Sequence, residues 1–261
     1  MDKVGKIIKY QLFDIFRNKW LLFYALFFFV VTDGLFRFGG GGAKVIISFM
    51  NIMLFIIPLV SILFGTMFLY NSREYIELLL TQPVKRRVLF AGLYLGLALP
   101  LVAGFVLGVS IPFALYDDGG QLATLGLLLL SGTFLTLMFT ALAFFIALRN
   151  EDRARGFGIS ILVWLIFSFV YDGIILFASF SLADYPIEKP LIVASMLNPI
   201  DLARILILLK TDFSALMGYT GAVFQNFFGS SLGITVSLLT MLVWTMIPAI
   251  LGTRTFEKKD F

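Results

Sequence analysis

Residues 45–70 have the sequence VIISFMNIMLFIIPLVSILFGTMFLY, which holds no charged side chain. As a helix rising 1.5 Å per residue this stretch is about 39 Å long, more than the roughly 30 Å of a bilayer's hydrocarbon core. In lipid the backbone groups of a segment must be satisfied within it, so such a run forms a helix. The stretch therefore predicts a membrane-spanning helix that tilts or protrudes.

The rest of the chain has the same character. Hydrophobic residues make up 60% of the sequence and charged residues 14%, whereas soluble domains carry about 25% charged residues. One of the runs contains Pro100 and Pro112, so a kink or an early end is expected there. We predict an all-α membrane protein, a single transmembrane domain over residues 1–261, with six spans at 20–36, 45–70, 88–116, 121–148, 157–182 and 230–251.

Several kinds of chemistry are excluded by composition. The chain has no cysteine and no histidine, so it can hold no disulfide, no zinc site of the usual type and no Ser-His or Cys-His pair. The glycine run 39–42 lacks the Gly-Lys-Ser/Thr ending of a phosphate loop. We therefore expect no catalytic residue, no metal site and no cofactor in this chain, and no nucleic-acid partner.

Lysine and arginine predict the orientation, because they concentrate in cytoplasmic loops. Fifteen of the twenty basic residues would lie on one side of the membrane, while Arg37, Lys44, Lys189, Arg204 and Lys210 would lie on the other. We expect an inner-membrane protein with both termini in the cytoplasm. The fifteen are Lys3, Lys6, Lys9, Arg17, Lys19, Arg73, Lys85, Arg86, Arg87, Arg149, Arg153, Arg155, Arg254, Lys258 and Lys259.

Two cytoplasmic segments are predicted to be helical without crossing the membrane. Residues 1–19 form an amphipathic elbow helix at the membrane surface, which serves as a topology anchor or packs on a partner. The loop 71–87, NSREYIELLLTQPVKRR, predicts a short helix capped by Ser72, with Glu74 and Glu77 in its first turns and an end at Pro83. This helix either docks on a partner or lies at the interface without one.

The external segment 183–229 is long and apolar. Asn198 and Pro199 are a helix-starting pair, and Thr211 and Asp212 can cap a second helix over 213–227. We expect a lateral or re-entrant helix pair at the outer leaflet.

Charged residues within spans point to function by default. Tyr171 and Asp172 lie in the fifth span, where a carboxylate needs a polar partner or a water-filled cavity. Alternatively, Asp172 is neutral, or it lies nearer the outer interface. Asp33 and Arg37, four residues apart at the outer end of the first span, are expected to form a structural ion pair.

This arrangement resembles the ABC-2 (type V) permeases over nearly the whole chain. The resemblance implies that the 71–87 loop carries a coupling helix for a separate ATPase subunit, through Glu74, Tyr75, Glu77, Leu78, Pro83 and Arg86. It also implies a translocation path near Tyr171 and Asp172. An external partner would contact Asn198, Pro199, Asp201 and Arg204.

Within that family, VYDGIILF (170–177) and LNPIDLARILIL (197–208) look most like the permease of the transporter that matures the copper-sulfide centre of nitrous oxide reductase. This resemblance implies a homodimer with two ATPase subunits, which bind ATP and Mg²⁺, and a periplasmic accessory protein. The cargo would be a sulfur species, with copper handled by partners. Two alternatives stay open, an ABC-2 exporter of another small or amphiphilic substrate and a secondary transporter or membrane enzyme.

Overall fold

A computed structural model describes residues 19–39, 42–116, 122–182, 188–208 and 231–259, and these residues form helices joined by short connections, with no strand among them. The predicted elbow helix lies outside the described residues, except for Lys19. In chain order the elements are α1 (Lys19–Phe38), α2 (Gly42–Asn71), α3 (Arg73–Leu80), α4 (Arg86–Tyr116), α5 (Leu122–Arg149), α6 (Arg153–Leu165), a π-helical turn (Ile166–Val170), α7 (Tyr171–Ser181), α8 (Glu188–Leu197), α9 (Pro199–Leu208) and α10 (Ser231–Lys258).

Six helices of the described chain are long and apolar enough to cross a membrane, which confirms the predicted fold class. They are α1, α2, α4, α5, the continuous α6–π–α7 helix and α10; we call the α6–π–α7 helix span five. The third span ends at Tyr116 as predicted, so of the two alternatives, a kink or an early end, the early end does not occur at Pro100 or Pro112. Proline is tolerated in such helices because neighbouring groups satisfy the carbonyls it frees.

Successive spans run in opposite directions, so the bundle has two ends. We call one the basic end, where α1 begins, α2 ends and α3 lies. At this end the Tyr70 hydroxyl donates to the Asn150 carbonyl at 2.9 Å, and the Arg86 guanidinium donates to the carbonyls of Glu257 and Lys259 at 3.0 and 2.6 Å. These bonds join the end of α2 to the connection between α5 and α6, and the start of α4 to the end of α10.

The centre of the bundle is formed by α2, α4 and α5. In the apolar membrane-spanning part of each of these helices, half or more of the residues are buried. The buried share is 22% for α1, 17% for α10 and 6% for span five. The outer helices leave large apolar side chains exposed, such as Phe177, Leu239 and Val243. A surface of this kind suits contact with lipid, which is as apolar as the side chains themselves.

Glycine allows α1 to approach α4 closely. A Cβ atom placed on Gly108 would lie 2.6 Å from the Ala25 carbonyl oxygen and 2.9 Å from Phe28 Cβ. One turn earlier, Gly104 faces Leu21 and Tyr24 of α1. This pair of small residues thus brings two helices of the same chain into contact.

Candidate functional site

Span five changes its helical geometry just before Tyr171 and Asp172. Residues Ile166–Val170 form a π-helical turn, a feature that often marks functional sites in helices. The wider turn alters the usual carbonyl partners, and the Phe167 carbonyl accepts a hydrogen bond from Asn198 Nδ2 at 2.9 Å. The middle of span five is therefore bonded to the segment that follows it in the chain.

That segment is a bent helix pair. The helix axis changes direction by 115° between α8 and α9, with Asn198 at the bend. Asn198 is fully buried, and its Oδ1 accepts from the Ile200 amide at 3.0 Å, so it caps α9. The predicted helix start at Asn198 and Pro199 is confirmed, whereas the predicted second helix, 213–227, lies outside the described residues.

Helix α8 was missed in the sequence. It lies beside span five and α10: the Tyr171 hydroxyl donates to the Ala194 carbonyl, and Trp244 Nε1 donates to the Met196 carbonyl at 3.1 Å. The signal was the apolar run LIVASML directly after Pro190, since proline is favoured in the first turn of a helix.

Four polar residues from span five and α9 form the centre of the site. The Arg204 guanidinium bridges two carboxylates, Asp172 at 2.9 Å and Asp201 at 2.7 Å. The Asn198 amide donates to Asp201 at 3.2 Å. We call Asp172, Asn198, Asp201 and Arg204 the charge cluster. Its ionic side chains are 28% (Asp172), 11% (Asp201) and 33% (Arg204) exposed.

The charge cluster supplies the polar partner that Asp172 was expected to need. Arg204 is half-buried against span five, and its predicted place on the external side of the membrane stays a prediction. A carboxylate among apolar helices is costly unless it is paired. Asn198, Pro199 and Asp201 are buried within the chain, and their contact with an external protein stays a prediction.

The predicted ion pair at the far end of α1 is confirmed. Arg37 Nε lies 2.9 Å from the Asp33 carboxylate. Tyr116 of α4 donates to Asp33 at 2.8 Å and accepts from Arg37 at 3.2 Å. The pair therefore ties α1 to α4 at the end of the bundle opposite the basic end, and its structural role stays a prediction.

Helix α3 presents an acidic and apolar face at the basic end. Ile76 is buried and holds the helix to the bundle. The four predicted coupling residues of this helix are exposed, namely Glu74, Tyr75, Glu77 and Leu78. Pro83 is exposed beyond the helix, whereas Arg86 is used within the chain to hold the end of α10.

The predicted cap of α3 is wrong in one detail. Ser72 precedes the helix but its side chain makes no capping hydrogen bond. Its backbone, at φ −87° and ψ 1°, lies outside the extended region that a capping residue adopts. Its amide still donates to the Phe68 carbonyl of α2 at 2.9 Å, so α3 continues almost directly from α2.

Polar contacts join α2 to span five. Thr66 Oγ1 and Ser160 Oγ, both buried, lie 2.8 Å apart, and Trp164 Nε1 donates to the Phe55 carbonyl at 3.3 Å. Near the basic end Tyr70 donates to the carbonyls of Asn150 and Asp152, just before α6 begins. Helix α3 is thus attached to α2. Helix α2 is in turn hydrogen-bonded to span five, which carries Asp172.

Comparison with known proteins assigns this architecture. Residues 11–261 match the family described as ABC-2 family transporter protein. The chain is 25% identical over 280 residues to a probable ABC transporter permease protein, NosY, of Stutzerimonas stutzeri, covering 99% of both chains. It is 28% identical over 237 residues to a probable ABC transporter permease protein, NosY, of Pseudomonas aeruginosa, covering 84% of this chain and 86% of the relative. The chain therefore belongs to the ABC-2 transporter family and is the membrane-spanning permease subunit of an ABC transporter.

Proposed function

We propose that this permease serves the maturation of the copper-sulfide centre of nitrous oxide reductase, either by moving a sulfur species or by transmitting ATP-driven motion to a periplasmic partner. The two relatives that are named as NosY permeases support this proposal. The chain's lack of cysteine and histidine suits a permease that leaves copper to its partners. An ABC-2 exporter of another small or amphiphilic substrate is the second candidate.

The exposed face of α3 is the observation that carries the coupling role. An ABC permease requires an ATPase subunit, and we propose that two copies of it, with bound ATP and Mg²⁺, act on a dimer of this chain. Glu74 and Glu77 offer negative charge to the partner, and Tyr75 and Leu78 offer apolar contact. Aromatic residues are enriched in the cores of protein interfaces, and polar residues lie at the rim.

The contacts within the bundle suggest how motion would travel. A displacement of α3 moves the end of α2, which is bonded to span five through Tyr70 and Thr66. Span five carries Asp172, so its movement changes the distance to Arg204 and the position of the α8–α9 pair. Coupling of this kind requires different contacts in the two states, and the Asp172–Arg204 pair is a contact that can be made or broken.

Co-purification with the ATPase tests the proposal. The tagged chain is isolated from native membranes in mild detergent, and its partners are identified by mass spectrometry and an ATPase assay. The matched variants are Glu74→Lys/Glu77→Lys, which reverses both charges, and Glu74→Asp/Glu77→Asp, which keeps them. We expect the reversal to lose at least about tenfold of the bound ATPase, since placing like charges together at an interface costs several kcal/mol and about 1.4 kcal/mol is a factor of ten.

The outcomes separate the candidates. A co-purifying periplasmic protein, together with reductase that lacks its copper-sulfide centre when this chain is deleted, supports the maturation role. A second outcome is that an ATPase co-purifies with the tagged chain while the deletion strain still makes fully matured reductase. That outcome favours another ABC-2 exporter. Full ATPase recovery with the charge-reversed variant shows that α3 is not the docking helix.

A further inference from the structure

A cavity of about 480 Å³ opens between α5 and α10 at the basic end of the bundle. Three of its lining residues are apolar, Phe145, Leu148 and Leu251, and we call them the apolar floor. The lining residues of α5 and of α10 each lie on one face of their helix, because they are three or four positions apart. They are 145, 148 and 149 on α5, and 251, 254, 255 and 258 on α10. The two faces together form a cleft with an apolar bottom and a polar mouth.

The mouth of this cavity is strongly basic. Arg149, Arg254, Lys258 and Lys259 line it, with Glu151 as the acidic residue among them. Arg149, Arg254 and Lys258 take part in none of the ion pairs within the described residues. By contrast, the neighbouring Arg87 is paired with Glu257, whereas three cations outside these ion pairs lie together at the cavity.

The position of Lys259 adds to this concentration. Its amino group donates to the Leu148 carbonyl at 2.7 Å, which holds the end of the chain against α5. Partial burial and then the charge of Arg73 lower the pKa of Lys259, against the opposing effect of Glu151. A group whose positive charge is disfavoured in this way gains from a nearby anion.

The floor of the cavity is continuous with the outer surface of α10. Ile247, Ile250 and Leu251 are exposed on this helix, on the stretch that leads from the bundle's middle to the cavity. A ligand in the cavity would therefore have a charged site at the membrane surface and an apolar surface running into the membrane.

We propose that this cavity binds an anionic phospholipid, with the phosphate group among Arg149, Arg254 and Lys258 and an acyl chain along Phe145, Leu148 and Leu251. Basic pockets between membrane helices are suited to anionic headgroups. A soluble phosphate compound offers the same anion but would leave the apolar floor unused. Binding of a lipid here requires neither the cargo nor the ATPase subunit.

Native mass spectrometry of the full chain in detergent tests this site. The purified protein is titrated with phosphatidylglycerol and, separately, with phosphatidylcholine, and the affinity of the first bound lipid is compared. We expect a preference for phosphatidylglycerol that Arg149→Gln/Arg254→Gln lowers at least about tenfold, since each basic residue near an anionic headgroup contributes about fivefold.

A matched control removes the same charge elsewhere. Arg153→Gln/Arg155→Gln takes two exposed arginines from the same end of the bundle, outside the cavity, and should change the preference less than about twofold. Arg149→Lys/Arg254→Lys, which keeps the charge, should retain it. Unchanged elution and thermal midpoint of each variant exclude misfolding as the cause of a loss.

Three results would overturn the proposal. One is wild-type protein that binds both lipids equally. Another is an equal loss of preference in the cavity and control variants, which would mean diffuse attraction to the basic end. The third is displacement of phosphatidylglycerol by glycerol 3-phosphate at constant ionic strength, which would identify a soluble phosphate compound as the ligand.

Discussion

At the scale of single residues, Arg204 is the position on which the charge cluster depends. It is the cation that lies between Asp172 and Asp201. Its removal would leave two carboxylates facing each other among apolar helices. The cost of losing one partner from a buried pair is about 3–5 kcal/mol, and the partial exposure of these side chains reduces it.

We therefore expect Arg204→Gln to destabilise the purified protein by about 1–3 kcal/mol, measured by thermal unfolding in detergent. The double variant Asp172→Asn/Arg204→Gln should recover part of this loss, because it also removes one of the two carboxylates. Arg37→Gln breaks an exposed ion pair of the same type and should have a smaller effect. Equal shifts for Arg37→Gln and Arg204→Gln would contradict the importance given to the cluster.

Asp172 should matter for activity without affecting assembly. Asp172→Asn retains a side chain of the same shape but weakens the bond to Arg204, which in our proposal links span five to α9. We expect normal co-purification of the ATPase and a loss of reductase maturation of about tenfold or more. The reason is that a contact present in only one of two states, and worth about 1.4 kcal/mol, changes their ratio tenfold. Unchanged maturation would make Asp172 a purely structural residue.

At the scale of elements, the contact between α1 and α4 is limited by the size of a single residue. Gly108→Ala would place a methyl group 2.6 Å from the Ala25 carbonyl oxygen, a backbone atom that cannot move alone. Overpacking of this kind costs about 1–3 kcal/mol, which a thermal unfolding midpoint would show. Gly126→Ala in α5 has nothing within 4 Å of the new methyl group and should be neutral or slightly stabilising. A destabilisation by Gly126→Ala as large as that by Gly108→Ala would remove the packing explanation.

At the scale of the whole molecule, the distribution of basic residues predicts which end faces the cytoplasm. The chain has no native cysteine, so single cysteines report their own position. Arg153→Cys at the basic end should react with a membrane-impermeant maleimide only after the cells are permeabilised. Phe38→Cys, at an 89% exposed position near the opposite end, should react in cells whose inner membrane is intact. The reverse pattern would show that the basic end faces outward, against the positive-inside rule.

The sequence by itself determined the number, positions and class of the spans. Apolar run length is a local property, and the bilayer fixes the length that a helix needs, so residues 45–70 alone were enough to predict α2. The helix start at Asn198 and Pro199 and the pair Asp33–Arg37 were predictable for the same reason, since capping and four-residue spacing involve neighbours in the chain.

Only the tertiary structure decided which residues meet. Asp172 and Arg204 belong to different elements, and their pairing depends on the bend between α8 and α9, which carries Arg204 back towards span five. Helix α8 was not predicted because its ten residues are too few to give the length signal of a span. The cavity between α5 and α10 likewise combines two faces separated by about a hundred residues of chain; long-range contacts of this kind follow from helix packing, which no local pattern specifies.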